Sequence, residues 1–358
     1  GNFGERIVCD MALRATVPTR VVLAGREMER SRLEWLRTAG NARAAISETP
    51  VVIDVRIVDW DAEDEYASLL SELAPRLVVH AASIQSPDAY FSRETAWNRL
   101  MGECTLTLTV PYQAFLGARL ARFMAASGIR ARLVNCCYPD STNAVLAALG
   151  APLVCGLGNV AILASAFAGE LGIRESGRVK VLAHHQTIMP WRGPHDVTSG
   201  IRPARAWLDD EEIPDIYRRF SRIRLPMAPA LPISGYSGVP VLLALLGHMD
   251  ISTHVPGPFG LYGGYPVKIR DGQLDLELPR DMTRDEAVEW NVCFEREKGI
   301  LVRDGRVEFQ GFIQRSLVEL GSDLARGFSI HELDRAVSDL NVLRERLIAS
   351  GNTPPSEA

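Results

Sequence analysis

Four short apolar runs, each separated from the next by a helical pattern, constrain this chain more than any other feature. They occupy residues 20–24 (RVVLA), 53–58 (IDVRIV), 77–82 (LVVHAA) and 131–135 (ARLVN). Helical patterns cover 5–14, 28–36 and 63–73, and after a polar loop at 83–94 helical material runs up to 126. Strands joined through helices of ten or more residues pair in parallel with right-handed crossovers. The expected class is α/β, a doubly wound parallel Rossmann sheet, which binds ligands beyond the carboxyl ends of its strands.

The first residues bear on which ligand that is. Gly1-Asn2-Phe3-Gly4 opens the first helical pattern and matches the last four positions of a G-x-G-x-x-G dinucleotide loop. A second strand ending at Gly25-Arg26 follows about 20 residues later, the spacing at which the ribose-binding residue is found. The strand that normally precedes such a loop is missing, so the sheet is expected to lack its first strand and the native protein to extend upstream of Gly1. On this reading the cofactor contacts are Gly1, Asn2, Phe3, Gly4, Gly25, Arg26, Ala81, Ala82 and Asn135. Arg26 stands where NAD-binding chains carry an acid. A guanidinium there can pair with the 2′-phosphate of NADP and stack on adenine. NADP is therefore the expected cofactor, with NAD as the alternative because Glu27 could hold a ribose hydroxyl.

The second half has a different texture. A glycine turn at 156–159 opens an apolar helical pattern to 171, and a strand at 179–183 runs into His184-His185-Gln186-Thr187-Ile188-Met189-Pro190-Trp191. Helices are expected at 209–220 and 239–248, then a glycine- and proline-rich stretch, a strand at 273–278 and closing helices to 348. This gives a dinucleotide-binding domain at 1–145, an α+β catalytic and oligomerisation domain at 146–350, and a disordered tail at 351–358.

Four stretches, LVNCCYPDSTNAVLAALG, CGLGNVAILASAFAGELG, VLAHHQTIMPW and HVPGPFGLYGGYPVKIRDG, follow in the order of motifs seen in one superfamily. The chain resembles the lactate/malate dehydrogenases and the related NAD-dependent family 4 glycosidases. The third stretch is similar to the strand that carries the catalytic histidine of malate dehydrogenases. The resemblance implies a homodimer or homotetramer. It also exposes departures. Ala161 and Ala164 fall where the dehydrogenases carry the aspartate that orients the histidine and the arginine that clamps the substrate carboxylate. The glycosidases hold a divalent metal with a cysteine and a histidine. Gly158 and Asn159 replace the cysteine pair, so no metal is expected.

His184 and His185 are the expected catalytic residues, because imidazole exchanges protons near neutrality while a hydride moves. Side chains of neighbouring strand residues point to opposite faces, so only one of the two is expected to face the substrate. Arg93, Tyr138 and Asn159 are the expected substrate contacts. Cys136 and Cys137 are read as buried structural thiols.

Composition closes off other classes. Net charge is -5, which leaves no basic footprint for nucleic acid, and no run approaches the ~18–20 apolar residues of a membrane helix. The six cysteines form no C-x-x-C pair, as in a reduced cytoplasmic protein. The expected function is an NAD(P)-dependent oxidoreductase acting on a carbonyl/alcohol pair of a small polar metabolite. The alternatives are a glycosidase-like enzyme using NAD transiently with a divalent metal, and a nucleotide-binding sensor without chemistry.

Overall fold

In the computed structural model, residues 1–85, 95–192, 202–227 and 229–350 are described. The first half alternates helix and strand: α1 (Asn2–Arg14), β1 (Thr19–Gly25), α2 (Arg30–Ile46), β2 (Val51–Ile57), α3 (Glu63–Leu73), β3 (Leu77–His80), α4 (Ala96–Cys104), α5 (Val110–Ser127), β4 (Arg132–Asn135), α6 (Pro139–Ala148) and β5 (Leu153–Gly156). Every strand pairing in this half is parallel, as helix-length connections require.

The single wound sheet expected from the sequence is, among the described residues, two parallel sheets: β1-β2 and β3-β4-β5. β1 and β3 do not bond to each other, and each has one edge without a strand partner among the described residues. The start of α1 lies against the end of β3, where a Cβ on Gly4 would sit 3.5 Å from that of Ala81.

The second half is α+β. It comprises α7 (Asn159–Leu171), β6 (Val179–Leu182), β7 (Arg205–Leu208), β8 (Glu211–Glu212), α8 (Ile216–Arg219), α9 (Leu231–Leu245), β9 (Ile251–Pro256), β10 (Gly264–Arg270), β11 (Gln273–Leu276), α10 (Arg284–Lys298), β12 (Ile300–Arg303), β13 (Arg306–Phe309), α11 (Gly311–Glu319), β14 (Phe328–Ser329) and α12 (Leu333–Ser350). Three small antiparallel sheets result, β6-β7-β8, β9-β10-β11 and β12-β13-β14. A bridge between Ala183 and Gly264 ties the end of β6 to β10.

Two helix expectations are corrected. The expected helix at 209–220 is a hairpin followed by the four-residue α8, because Asp209 and Asp210 take left-handed φ values of 55° and 67° and turn the chain back into β8. The helix expected to start at 239 is α9, which starts at Leu231: Pro232 sits in its first turn, where a missing N–H costs nothing.

The halves share apolar cores. Leu340 and Leu343 of α12 belong to the cluster built on Trp97, Tyr112 and Phe123. Leu242 of α9 shares a second cluster with Val8 and Met11 of α1. A third cluster, centred on Phe167 stacked on Phe220 at 4.0 Å, backs the segment that carries the histidines.

Candidate functional site

The site is built where β4 and β6 end. After β4, Asn135 is fully buried and its amide is spent on the turn: Nδ2 donates to Asn143 Oδ1 (2.8 Å) and Thr142 Oγ1 (3.0 Å), while Oδ1 accepts from the Cys137 N–H (3.0 Å). That clamp sets Tyr138 in the left-handed region (φ 50°, ψ 53°) and starts α6 at Pro139. Asp140 follows in the first turn of α6, and its carboxylate is completely enclosed. Asn159 Nδ2 donates to one oxygen (2.6 Å) and the His185 N–H to the other (3.1 Å). Burial raises its pKa above the usual carboxylate range.

The histidines lie opposite. β6 stops at Leu182, and His185 opens a 3-10 turn, His185–Trp191. Alternation along a strand therefore does not apply, and the expectation that the two rings point to opposite faces is corrected: their centroids are 4.2 Å apart. His184 Nε2 lies 2.7 Å from Glu295 Oε1, both side chains fully buried. Ser141 Oγ donates to the same oxygen (2.8 Å), and the imidazole stacks on Phe294 at 4.9 Å and 2°. His185 Nε2 lies 3.3 Å from the Tyr138 hydroxyl, and its Nδ1 is buried with no partner among the described residues. Burial first, then the neighbouring His184, Lys298 and Arg192, hold the His185 pKa well below that of a free imidazole.

One donor group each from Asp140, His184 and His185 lies within 4.8 Å of the others, a spacing that could hold a divalent ion. The surroundings fit that use. An imidazole that binds a metal through one nitrogen characteristically gives its other N–H to a carboxylate, which is the place Glu295 takes beside His184.

The expected cofactor residues gather at the carboxyl ends of β1 and β3. Gly1 caps α1 without a side-chain bond, leaving the first-turn amides of Asn2, Phe3 and Gly4 open, a ready anion site. Ala81 lies 3.7 Å or less from Cβ positions built on Gly1 and Gly4, and the Ala82 carbonyl accepts from the Cys137 thiol. Phe3 packs against the apolar core. Gly25 is pressed against α2, where a Cβ would come within 2.7 Å of Leu33. Arg26 is half exposed and paired with Glu29 at 3.1 Å, while Glu27 pairs with Arg30. Asn2 accepts from Arg32, tying α1 to α2.

His184, His185, Tyr138 and Asn159, four of the expected catalytic and substrate residues, thus meet around Asp140. Arg93 lies outside the described residues. Asn135 supports the turn and keeps no free polar group on its amide. Sequence reasoning missed Asp140, Ser141, Glu295 and Lys298. Asp140 stood in a quoted stretch, two residues after Tyr138. Glu295 had no local signal.

No family model matches the sequence, and no curated protein matches it. Solved structures do. The Bacillus subtilis protein LplD, named as a candidate glucosidase, matches over 96% of this chain and 96% of its own, with a TM-score of 0.53 at 14% identity. A lactate dehydrogenase from a Medee basin deep-sea metagenome library matches over 83% of this chain and 95% of its own, with a TM-score of 0.50 at 15% identity. At these identities the likeness is one of fold, and the superfamily resemblance read from the sequence stands at that level: a divergent chain with the fold common to both.

Proposed function

We propose that the chain is an NAD(P)-dependent oxidoreductase that interconverts a hydroxyl and a carbonyl on a small polar molecule. The observation that carries this reading is the His184–Glu295 pair at 2.7 Å, set beside His185 and Asp140. A carboxylate fixes the imidazole pair in place, and Glu295 supplies it through His184, whose ring lies 4.2 Å from that of His185, where Ala161 on α7 cannot.

The nicotinamide cofactor supplies the hydride acceptor or donor when bound. The open first-turn amides of α1 favour its pyrophosphate, and Arg26, at the carboxyl end of β1, favours the 2′-phosphate of NADP. His185 takes the proton from the substrate hydroxyl through Nδ1, its one uncommitted nitrogen, as the hydride leaves the adjoining carbon. Tyr138 holds the ring from Nε2, and Asp140 holds its backbone N–H. The depressed pKa keeps His185 neutral, the form in which its free nitrogen has a lone pair for the hydroxyl proton.

The 4.8 Å grouping of Asp140, His184 and His185 favours a second reading, a glycosidase-like enzyme. There the three residues would hold a divalent ion that polarises the substrate oxygen, and NAD would be reduced and reoxidised within one cycle. A panel of hydroxy and carbonyl compounds assayed at 340 nm with NAD and NADP, with and without EDTA, separates the two. Net reduction or oxidation of the cofactor that survives chelation supports the oxidoreductase. Metal-dependent glycoside cleavage with no net cofactor change overturns it. Absence of both activities, with cofactor still bound, returns the chain to a sensor role.

A further inference from the structure

Three hydroxyls join the ring of His185 to a lysine at the end of α10. The Tyr138 hydroxyl lies 3.3 Å from His185 Nε2, and Thr107 Oγ1 lies 3.5 Å from that hydroxyl. Thr105 Oγ1 lies 3.2 Å from Thr107 Oγ1, and the Lys298 ammonium donates to Thr105 Oγ1 at 3.1 Å. The line runs outward: Tyr138 and Thr107 are buried, whereas Thr105 and Lys298 are half-buried. Its members come from the turn before α6, the 3-10 turn Thr105–Thr109 and the last residue of α10. The outermost hydroxyl is held under strain. Thr105, a β-branched residue, sits at φ 58° and ψ −166°, a region that glycine alone occupies readily. Such strain persists where surrounding contacts hold it, and here it presents the hydroxyl that meets Lys298.

The bonds between these groups can run in either direction, since a hydroxyl both donates and accepts and a neutral imidazole carries its proton on either nitrogen. Lys298 sets the direction. Charged, it can only donate. Thr105 then donates to Thr107, Thr107 to Tyr138 and Tyr138 to His185 Nε2, which leaves the ring proton on Nδ1. Neutral, the lysine nitrogen accepts, and the whole line can reverse. The ring proton is then on Nε2, and Nδ1, which has no partner among the described residues, keeps its lone pair. Burial brings the Lys298 pKa down to about 8, so both states are reached near neutrality. The ring itself has reason to use such a path. Nδ1 is buried, and no carboxylate is bonded to the ring among the described residues. A proton taken up there and kept would leave a buried charge without a bonded partner, which is costly.

We propose that the hydroxyls of Tyr138, Thr107 and Thr105 form a proton relay between His185 and Lys298, with Lys298 the terminal acceptor in oxidation and the terminal donor in reduction. The proposal rests on the reading that His185 handles the substrate proton, and it says where that proton goes. In oxidation the substrate O–H bond breaks and its proton joins Nδ1, while the hydride carries its electron pair to the oxidised nicotinamide. The Nε2 proton passes to Tyr138, that of Tyr138 to Thr107, that of Thr107 to Thr105 and that of Thr105 to the Lys298 amine. Each hydroxyl gains one proton and loses one, and His185 stays neutral. The ammonium formed at Lys298 returns its proton to solvent, and reduction runs the same steps backwards. The group that titrates is Lys298, which is bonded to none of Asp140, His184 and His185 among the described residues. Lys298, Thr105 and Thr107 are positioning residues, since they act through Tyr138 and His185.

The test reads the imidazole tautomer and needs neither substrate nor cofactor. The full chain, carrying nitrogen-15-labelled histidine, is followed by long-range proton–nitrogen correlation spectra from about pH 6.5 to about pH 9.5, on either side of the Lys298 value. The signals missing in His185→Gln assign the ring. In the wild type the ring should stay neutral and move from the Nδ1–H to the Nε2–H form with a midpoint of about pH 8. Lys298→Arg, whose guanidinium keeps its proton, should hold the Nδ1–H form throughout. That change leaves His184, Arg192, Asp140 and Glu295 in place, the charged and titratable groups that face the ring and the lysine, so loss of the switch assigns it to Lys298. Thr107→Val should abolish the switch and Thr107→Ser should keep it. Should Thr107→Val fail to fold, Lys298→Met is the second variant that breaks the line, and its tautomer should not respond to pH. The proposal is overturned by a wild-type tautomer that ignores pH or a ring that takes up a net proton over this range. It is equally overturned by a switch that persists in Lys298→Arg, Lys298→Met or Thr107→Val, or that is lost in Thr107→Ser. Any of these strikes the relay and leaves the oxidoreductase reading standing, whereas a failed hydride assay with the switch intact strikes that reading alone.

Discussion

His184 of the β6 segment and Glu295 of α10, 111 positions apart, meet at 2.7 Å with both side chains fully buried. Removing one partner leaves the other buried and uncompensated. Glu295→Leu is therefore expected to destabilise the fold by about 3–5 kcal/mol, read from chemical denaturation. The double variant Glu295→Leu/His184→Phe should recover part of that loss, because neither polar group is then left alone. Strict additivity of the two single changes would show that the pair is not coupled.

The two histidines should separate in kinetics. His185→Gln removes the one ring nitrogen left free for substrate and should lower turnover by about 10²- to 10⁴-fold, the range of general acid–base catalysis. His184→Gln acts from inside the protein and should show first as a lower melting temperature. Cofactor affinity should survive both, since the open amides of α1 lie in the other half. Wild-type rates in both variants would remove the histidine cluster from the chemistry.

A third expectation concerns the support beneath Asp140. A Cβ on Gly156, at the end of β5, would lie 2.2 Å from the Pro139 Cβ and 2.8 Å from the Asn135 carbonyl oxygen. Proline cannot rotate aside, so Gly156→Ala must move the turn that presents Tyr138 and Asp140. The expected cost is about 1–3 kcal/mol, with activity falling further than stability alone explains. A variant as stable and as active as the wild type would mean that the turn is free to shift.

The parallel, helix-connected half was legible because its apolar runs and spacings are local signals that tertiary contacts reinforce. The histidines were legible for the same reason, standing together after an apolar run. Glu295 was not. It lies in α10 among Glu289, Arg296 and Glu297, charges that read as a solvated helix face, and only its bonds to His184 and to Ser141 of α6 hold it inside. The hairpin at Asp209 and Asp210 failed for a different reason. Its charged and apolar residues fit a helical period, while the left-handed φ values that make the turn leave no mark on that pattern. The rings of His184 and His185 share a face because β6 ends at Leu182, one residue short of the expected end, and strand ends are the part of an element that periodicity fixes least.

Cofactor preference rests on Arg26. In the free protein its guanidinium bonds Glu29 at 3.1 Å, an exposed pair that a phosphate can replace at little cost. Arg26→Ala should weaken NADP binding by about 1.5–3 kcal/mol and leave NAD nearly unchanged. Glu29→Gln should shift the balance modestly towards NADP by freeing Arg26. Calorimetry on the wild type decides the matter: tighter binding of NAD than of NADP would overturn the assignment.

Acid should unfold the protein early, for a reason visible in two further histidines. Burial lowers the pKa of His80 to about 4 and that of His254 to about 3, and His254 Nε2 accepts the Val181 N–H at 2.9 Å, which only an unprotonated nitrogen can do. In the unfolded chain both titrate near the ordinary value of about 6.5. From there down to their folded values the unfolded state binds the extra protons, so stability falls as pH falls. Each histidine contributes about 1.4 kcal/mol per pH unit once well below 6.5. His185 works in the same direction, and Asp140, raised by burial, in the opposite one. Denaturation midpoints measured from pH 7 to pH 4.5 should therefore drop steeply, and His254→Gln, whose amide oxygen can still accept from Val181, should reduce the slope by about one proton. A midpoint independent of pH over that window would mean that these histidines are not held neutral in the fold.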